Sequence, residues 1–363
     1  MFLHAVPDKC RTLARDTRDE LTVESPHASQ PEALSNNAQP PLRRVGRRAV
    51  RWVVVLALVL IVLRLTGCME RLFYIPTSGP TPPPNHPPNV QRVYFDSRDG
   101  TQLCAWFIPA RQRMVFHQDN QNDQHARLSP TILHVHGNAG NVESHEFFTA
   151  HLPPAGFNVF LFDYRGYGES EGAARRREAL LEDTHAALDY LLTRDDVDAT
   201  RIGMYGQSLG GSIGLNVMAE RDEIRCAVIE SAFASWRDIV ANAIGGDPPF
   251  FLARWLAALL IRDDLRPVDA IARIGRPILI LHGTADSIIP ISHGRRLAKA
   301  GGASTELIEL PGGDHNVLRQ THPEVDQMMI DFFHEHVDGD VEDRSRPTGS
   351  DSPGQPATGA NQP

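Results

Sequence analysis

Gly206-Gln207-Ser208-Leu209-Gly210 is a G-x-S-x-G pattern, preceded by the strand-like run RIGMY and followed by the apolar stretch SIGLNVMAE. Strand, tight turn and helix in that order form the setting of a nucleophile elbow, in which small flanking residues admit a close approach of chain segments and the serine backbone is strained. A serine hydroxyl is a weak nucleophile at neutral pH, so it needs a base, and the base needs a third group to orient it. Asp286 follows the apolar run Leu279-Ile280-Leu281-His282-Gly283, and His315 sits in Gly312-Gly313-Asp314-His315-Asn316 after a later one. The chain order Ser208, Asp286, His315 suits nucleophile, acid and base, and the chemistry it predicts is acyl transfer.

Other residues compete for these roles. Glu230 ends the preceding strand and is the alternative acid, while Asp314 adjoins His315 and reads as a turn residue. His134 and His136 alternate on one strand as a metal pair would, but no third ligand follows at a useful spacing. No metal and no cofactor is therefore expected. Acyl transfer passes through a tetrahedral oxyanion, and backbone N–H groups aimed at it contribute roughly 3–4 kcal/mol per donor. Leu209, the residue after the nucleophile, supplies one donor. The second is expected from His136-Gly137-Asn138-Ala139-Gly140-Asn141, with Asn138 as the candidate and Ala139 as the alternative.

These loops need a scaffold. Apolar runs bounded by turn residues predict a hairpin over Val90–Phe95 and Leu103–Ile108, then strands at Ile132–Val135, Asn158–Asp163, Arg201–Tyr205, Cys226–Ile229, Pro277–His282 and Leu307–Leu310. Helices are expected at Glu178–Leu192, after Ser208, at Arg295–Ala300 and at Pro323–His336. Strands alternating with helices predict an α/β fold with about eight strands, mostly parallel and flanked by helices. Between Ala232 and Ile274, the residues Phe250, Phe251, Trp255, Leu256, Leu259 and Leu260 recur at helical spacing. They predict either a short helical cap over an apolar acyl pocket or a helix packed on the core.

Of 363 residues, 41% are hydrophobic and the formal net charge is −9, which excludes a polytopic membrane protein and argues against a nucleic-acid partner. Cys10, Cys68, Cys104 and Cys226 lack metal or disulfide spacing, and the last two are expected as buried free thiols. Residues 1–42 and 337–363 are polar and expected to be disordered. Arg43, Arg44, Arg47, Arg48 and Arg51 precede an unbroken apolar run from Trp52 to Leu63. As a helix that run is only about 18 Å long against a hydrocarbon core of about 30 Å, which favours a signal segment over a span. Leu65-Thr66-Gly67-Cys68 resembles a bacterial lipobox, making Cys68 a lipidation candidate; a single uncleaved anchor is the alternative. Either way the arginines face the cytoplasm and the globular part lies outside it. The long stretch before the arginines suggests that translation starts near Val45. Residues 69–89 are proline-rich and expected to be an extended linker, 90–336 the folded domain with its cap at about 232–274, and the polar stretch 111–129 a surface insert.

Together the HGNAGN loop, the Asp163-Tyr164-Arg165-Gly166-Tyr167-Gly168 turn, the GQSLGG elbow, the LHGTAD strand end and the GGDHN loop resemble the α/β-hydrolase family. More narrowly they resemble its Bem-type branch of membrane-associated serine hydrolases, which includes protein depalmitoylases. The resemblance begins at the FYIP segment near Leu72 and runs to about His336. It implies an α/β-hydrolase fold and a membrane-tethered enzyme that cleaves carboxylic ester or thioester bonds of a small-molecule or acylated substrate. A serine peptidase of the same fold and a catalytically idle binding module are the alternatives. The DYRGYG turn is structural in such relatives, so Arg165 and Tyr167 are assigned no catalytic role. Serine at position 208 excludes dehalogenation, whose nucleophile is a carboxylate.

Overall fold

The computed structural model describes residues 42–66, 70–79, 89–111, 128–244, 255 and 260–338. Eight strands form one sheet: β1 Gln91–Asp96, β2 Gln102–Ile108, β3 Thr131–Val135, β4 Asn158–Phe162, β5 Ile202–Gln207, β6 Ile224–Glu230, β7 Ile278–Gly283 and β8 Thr305–Leu310. Their spatial order is β1-β2-β4-β3-β5-β6-β7-β8. The hairpin pairs antiparallel and β2 runs antiparallel to β4, while every pairing from β4 to β8 is parallel. The eight expected strands are all present, each within a few residues of its expected ends.

Strands buried on both faces read as continuous apolar runs, and side chains still alternate between the faces. Ala227 and Ile229 of β6 and Ile278 and Ile280 of β7 enter one core, with Leu180 and Leu188, Ile213 and Leu215, Ile271, and Leu297. Those residues come from helices α3 Arg177–Leu192, α4 Leu209–Met218, α6 Pro267–Ile271 and α7 Ser292–Gly301. Cys226 and Val228 of β6 and Leu279 and Leu281 of β7 face the opposite core, with Val142, Met329 and Phe333 from α2 Val142–His145 and α9 Val325–Phe333. Cys104 and Cys226 are buried free thiols, as expected.

Parallel pairing aligns the carboxyl ends of the strands, so the loops after β3, β5, β7 and β8 gather at one end of the sheet, where a site of this fold type forms. Helix α5, Trp236–Ile244, follows β6 and buries Trp236 and Ile239. Of the expected cap residues, Trp255 is exposed, whereas Phe250, Phe251, Leu256 and Leu259 lie outside the described residues. Both expected disordered ends, the centre of the polar insert and Cys68 also fall largely or wholly outside them. Helix α1 spans Leu42–Thr66, and among the described residues no helix is long and apolar enough to cross a membrane.

Of the linker expected over 69–89, residues 69 and 80–88 lie outside the described residues. Residues 70–79 pack on the domain: Glu70 forms a buried ion pair with Arg177, which is itself fully buried, and Tyr74 is buried as well. Extended backbone can pair with a neighbouring loop. Pro76 and Ser78 form parallel bridges with Gly140 and Gly168.

Candidate active site

Strand β5 ends in Gln207 and α4 starts at Leu209, leaving Ser208 as the single residue of the turn. Its φ of 54° and ψ of −116° lie where a residue with a Cβ is strained, and strain of that kind costs of order 1–3 kcal/mol. The Ser208 N–H donates to Glu230 O of β6 at 2.8 Å, and Ser212 N–H donates to Ser208 O at 3.2 Å, which hold the turn in that geometry. A Cβ at Gly210 would stand 1.9 Å from Val135 O, so glycine there lets the elbow press against the end of β3.

The loops after β7 and β8 bring Asp286 and His315 to the elbow. His315 Nδ1 lies 2.8 Å from Asp286 Oδ2, and His315 Nε2 lies 3.0 Å from Ser208 Oγ. A carboxylate only accepts, so the ring proton sits on Nδ1 and leaves Nε2 to accept the serine proton. Asp286 Oδ1 also accepts the N–H groups of Ile288 at 3.0 Å and Ile289 at 2.7 Å. Burial pushes the Asp286 carboxyl up, but the hydrogen bond and charge of His315, with those two N–H groups, outweigh it and hold the group below its ordinary value. Asp286 is therefore ionised and suited to orient the imidazole. All three residues are buried, Ser208 being 9% exposed.

The competing residues have other partners. Glu230 accepts two hydrogen bonds from Arg319, at 2.9 and 3.0 Å, and one from Tyr205 Oη at 2.8 Å. Its carboxylate thus ties the His315 loop to the sheet, because Arg319 lies on α8, Leu318–Thr321, just past His315. Asp314 joins its loop to the one that carries Asp286, accepting from Ser287 N–H at 2.8 Å and Oγ–H at 2.9 Å. Burial, then the neighbouring His145, holds His136 well below its ordinary value, so it is neutral; its Nδ1 meets Gly137 O at 2.8 Å. His134 Nδ1 meets Thr149 Oγ1 at 3.1 Å. Among the described residues no group of three His, Cys, Asp or Glu is placed to hold a metal ion.

Leu209 is the first residue of α4, so its N–H has no partner within the helix and points out of the helix end. Asn138 N–H has no acceptor among the described residues, whereas Ala139 N–H donates to Asn138 Oδ1 at 3.1 Å. Of the two second-donor candidates, Asn138 keeps its N–H unengaged among the described residues and Ala139 does not. Tyr164 Oη donates to His136 O at 3.0 Å and steadies the same loop, and Tyr167 Oη donates to Asn138 Oδ1 at 2.9 Å. Arg165 is taken up by Asp183 and Asp99, consistent with a structural turn. Three features escaped the sequence reading: the Glu230–Arg319 tie, the Glu70–Arg177 pair and the partners of the Asn138 side chain. All three join residues far apart in the chain and leave no local spacing to detect.

Residues 130–266 match the protein family described as the alpha/beta hydrolase fold. The chain is 34% identical over 252 residues to the uncharacterized protein YfhR of Escherichia coli K12, covering 68% of this chain and 81% of that one. It is 32% identical over 269 residues to the alpha/beta hydrolase domain-containing protein WAV2 of Arabidopsis thaliana, covering 69% and 82%. It is also 32% identical over 167 residues to the protein bem46 of Schizosaccharomyces pombe, covering 44% and 52%. Among solved structures, the esterase Pf2001 of Pyrococcus furiosus superposes with a TM-score of 0.56 at 19% identity, covering 73% of this chain and 99% of that one. At that identity the likeness concerns the fold alone.

Proposed function

Since this chain belongs to the α/β-hydrolase family, we propose that it is a membrane-tethered serine hydrolase that cleaves carboxylic ester or thioester bonds through an acyl-enzyme. The observation that carries the reading is the hydrogen-bonded line from Ser208 Oγ through His315 to Asp286, at 3.0 and 2.8 Å. In the proposed reaction Ser208 Oγ attacks the acyl carbonyl carbon while His315 Nε2 takes its proton. Asp286 stabilises the imidazolium, and the N–H groups of Leu209 and Asn138 receive the oxyanion. Collapse breaks the acyl bond, and the leaving alcohol or thiol departs with the proton from His315. Water then enters by the same route in reverse and frees the acid.

The likeness to WAV2 and bem46 fits the Bem-type branch, and that branch supports an acylated substrate. Tethering rests on the arginine cluster at 43–51, the apolar run after it and Cys68 as the lipidation candidate, with the catalytic domain outside the cytoplasm. The aromatic and leucine side chains between 250 and 260 favour an acyl chain over a charged group. Each buried methylene contributes about 0.8 kcal/mol, so kcat/KM on p-nitrophenyl esters is expected to rise from acetate through butyrate and to peak at short to medium chains. Ser208→Ala should abolish turnover of all of them. Hydrolysis confined to peptides would replace the reading with a serine peptidase, and turnover that survives Ser208→Ala would refute it.

A further inference from the structure

The loop after β3 makes an unusual turn. Ala139 has φ of 77° and Gly140 φ of 73°, two successive left-handed residues of which one carries a Cβ. Such a turn persists only where its surroundings hold it, and here its polar atoms are pinned one by one. Ala139 N–H donates to Asn138 Oδ1 at 3.1 Å, Ala139 O meets His145 Nε2 at 2.9 Å, and Gly140 O accepts from Thr77 N–H at 3.1 Å.

The Asn138 side chain is the centre of that arrangement. Its Oδ1 accepts from Ile75 N–H at 3.1 Å and Tyr167 Oη at 2.9 Å as well as from Ala139, and its Nδ2 donates to Phe73 O at 2.6 Å. The carboxamide therefore joins three segments: the 73–79 strap, the loop after β3 and the DYRGYG turn. The strap is secured at several further points. Phe73 packs edge-on against Phe233 and Trp236, Gly79 N–H donates to Gly168 O at 2.6 Å, and Gly168 N–H donates to Thr77 O at 2.8 Å. With its side chain fixed on both polar atoms, Asn138 has its backbone direction fixed too, and its own N–H has no acceptor among the described residues.

We propose that residues 73–79 and Tyr167 are positioning elements of the active site, which act through the Asn138 carboxamide and Gly140 O to aim the Asn138 N–H at the oxyanion. The proposal rests on the hydrolase reading above. It gives the chain that leads into the domain from the N-terminal side a direct hold on transition-state geometry, not only a tethering role. A donor needed only in the transition state affects kcat while leaving substrate binding alone.

The test uses the full-length protein with Tyr167→Phe, which removes the hydroxyl, and Thr77→Pro, which removes the N–H that pins Gly140. Active sites are counted by titration with a p-nitrophenyl ester burst, so that unfolded molecules drop out of the rate. Each variant should lose roughly tenfold in kcat per titrated site with KM within about twofold, as expected for a displaced oxyanion donor. Amide hydrogen exchange over 137–141 should accelerate about tenfold in both, a result that does not depend on turnover. Unchanged exchange in both variants overturns the proposal, and so does faster exchange with unaltered kcat per titrated site. A wild-type protein without esterase activity would fail the hydrolase reading instead, while the exchange result still decides whether the strap holds the loop.

Discussion

The loops that carry Ser208, Asp286 and His315 are held from within the sheet, whereas the loop that carries Asn138 is held from outside it. Ser208 hangs between β5 and α4 with its N–H on the neighbouring strand, and the Asp286 and His315 loops leave adjacent strands β7 and β8. The Arg319–Glu230 ion pair and the Ser287–Asp314 hydrogen bonds tie these loops to the sheet and to each other. The Asn138 loop depends instead on the 73–79 strap, which is more than sixty residues away in the chain, and on Tyr167. The charge groups differ in the same way. Asp286 is held below the ordinary carboxylate range, while Asp163, which accepts the Val142 N–H beside the outer loop at 2.8 Å, is pushed by burial up to about 7. Ser208 and His315 are thus held by bonds among neighbouring strands and their loops, and the proposed oxyanion donor Asn138 by contacts from the strap and the DYRGYG turn.

The largest effect expected from this contrast separates the two acids on the sheet side. Asp286→Asn should lower kcat by roughly 10³–10⁴, because the imidazole loses its tautomer and orientation. Glu230→Gln should be far milder on kcat, since Glu230 contacts Arg319 and Tyr205 and not His315. The reverse ranking in folded variants would move the acid role to Glu230.

A smaller effect concerns stability on the strap side. Glu70→Gln removes the nearer carboxylate of the fully buried Arg177 and leaves the Asp264 carboxylate at 3.5 Å, Asp264 O at 3.1 Å and the Trp236 ring at 4.4 Å. Breaking a buried pair by removing one partner costs about 3–5 kcal/mol, and denaturant unfolding should show a loss of that order. A loss under about 1 kcal/mol would mean that the segment is not an integral part of the domain.

The smallest effect is a change in pH dependence. Asp163 binds its proton more tightly in the folded state, about 7 against 3.8, so its contribution to stability declines as pH rises from about 4 to 7 and is constant above. Asp286 has the opposite sign: its contribution is present at neutral pH and is lost as pH falls through its lowered folded value. Asp163→Asn keeps an acceptor for Val142 N–H and removes the titration, so the melting temperature of the variant should gain on the wild type between pH 4 and 8. A constant gap across that range would show that Asp163 is not perturbed.

The same contrast explains what the sequence made legible. Elbow, acid and base each sit where a short apolar run meets a turn, and both the spacing and the chain order survive in one dimension. Strands such as β5 and β7 read directly because both faces are buried and the runs are unbroken. Asn138 is a donor candidate from its place in a glycine-containing loop, but its side-chain partners are not legible, because Phe73, Ile75 and Tyr167 carry no mark of their common partner. The packing of residues 70–79 is not legible, for a physical reason. Extended backbone signals a solvated linker from composition alone, and only the fold reveals that Pro76 and Ser78 lie alongside Gly140 and Gly168.

The central claim is that Ser208, activated by His315, is an acylating nucleophile. A fluorophosphonate probe followed by peptide mapping in a mass spectrometer measures this directly. One phosphonyl group should appear on the peptide containing Ser208 in the folded wild-type protein, and none should appear after Ser208→Ala or heat denaturation. A folded protein that takes up no label, or one labelled elsewhere with Ser208 untouched, would contradict the account.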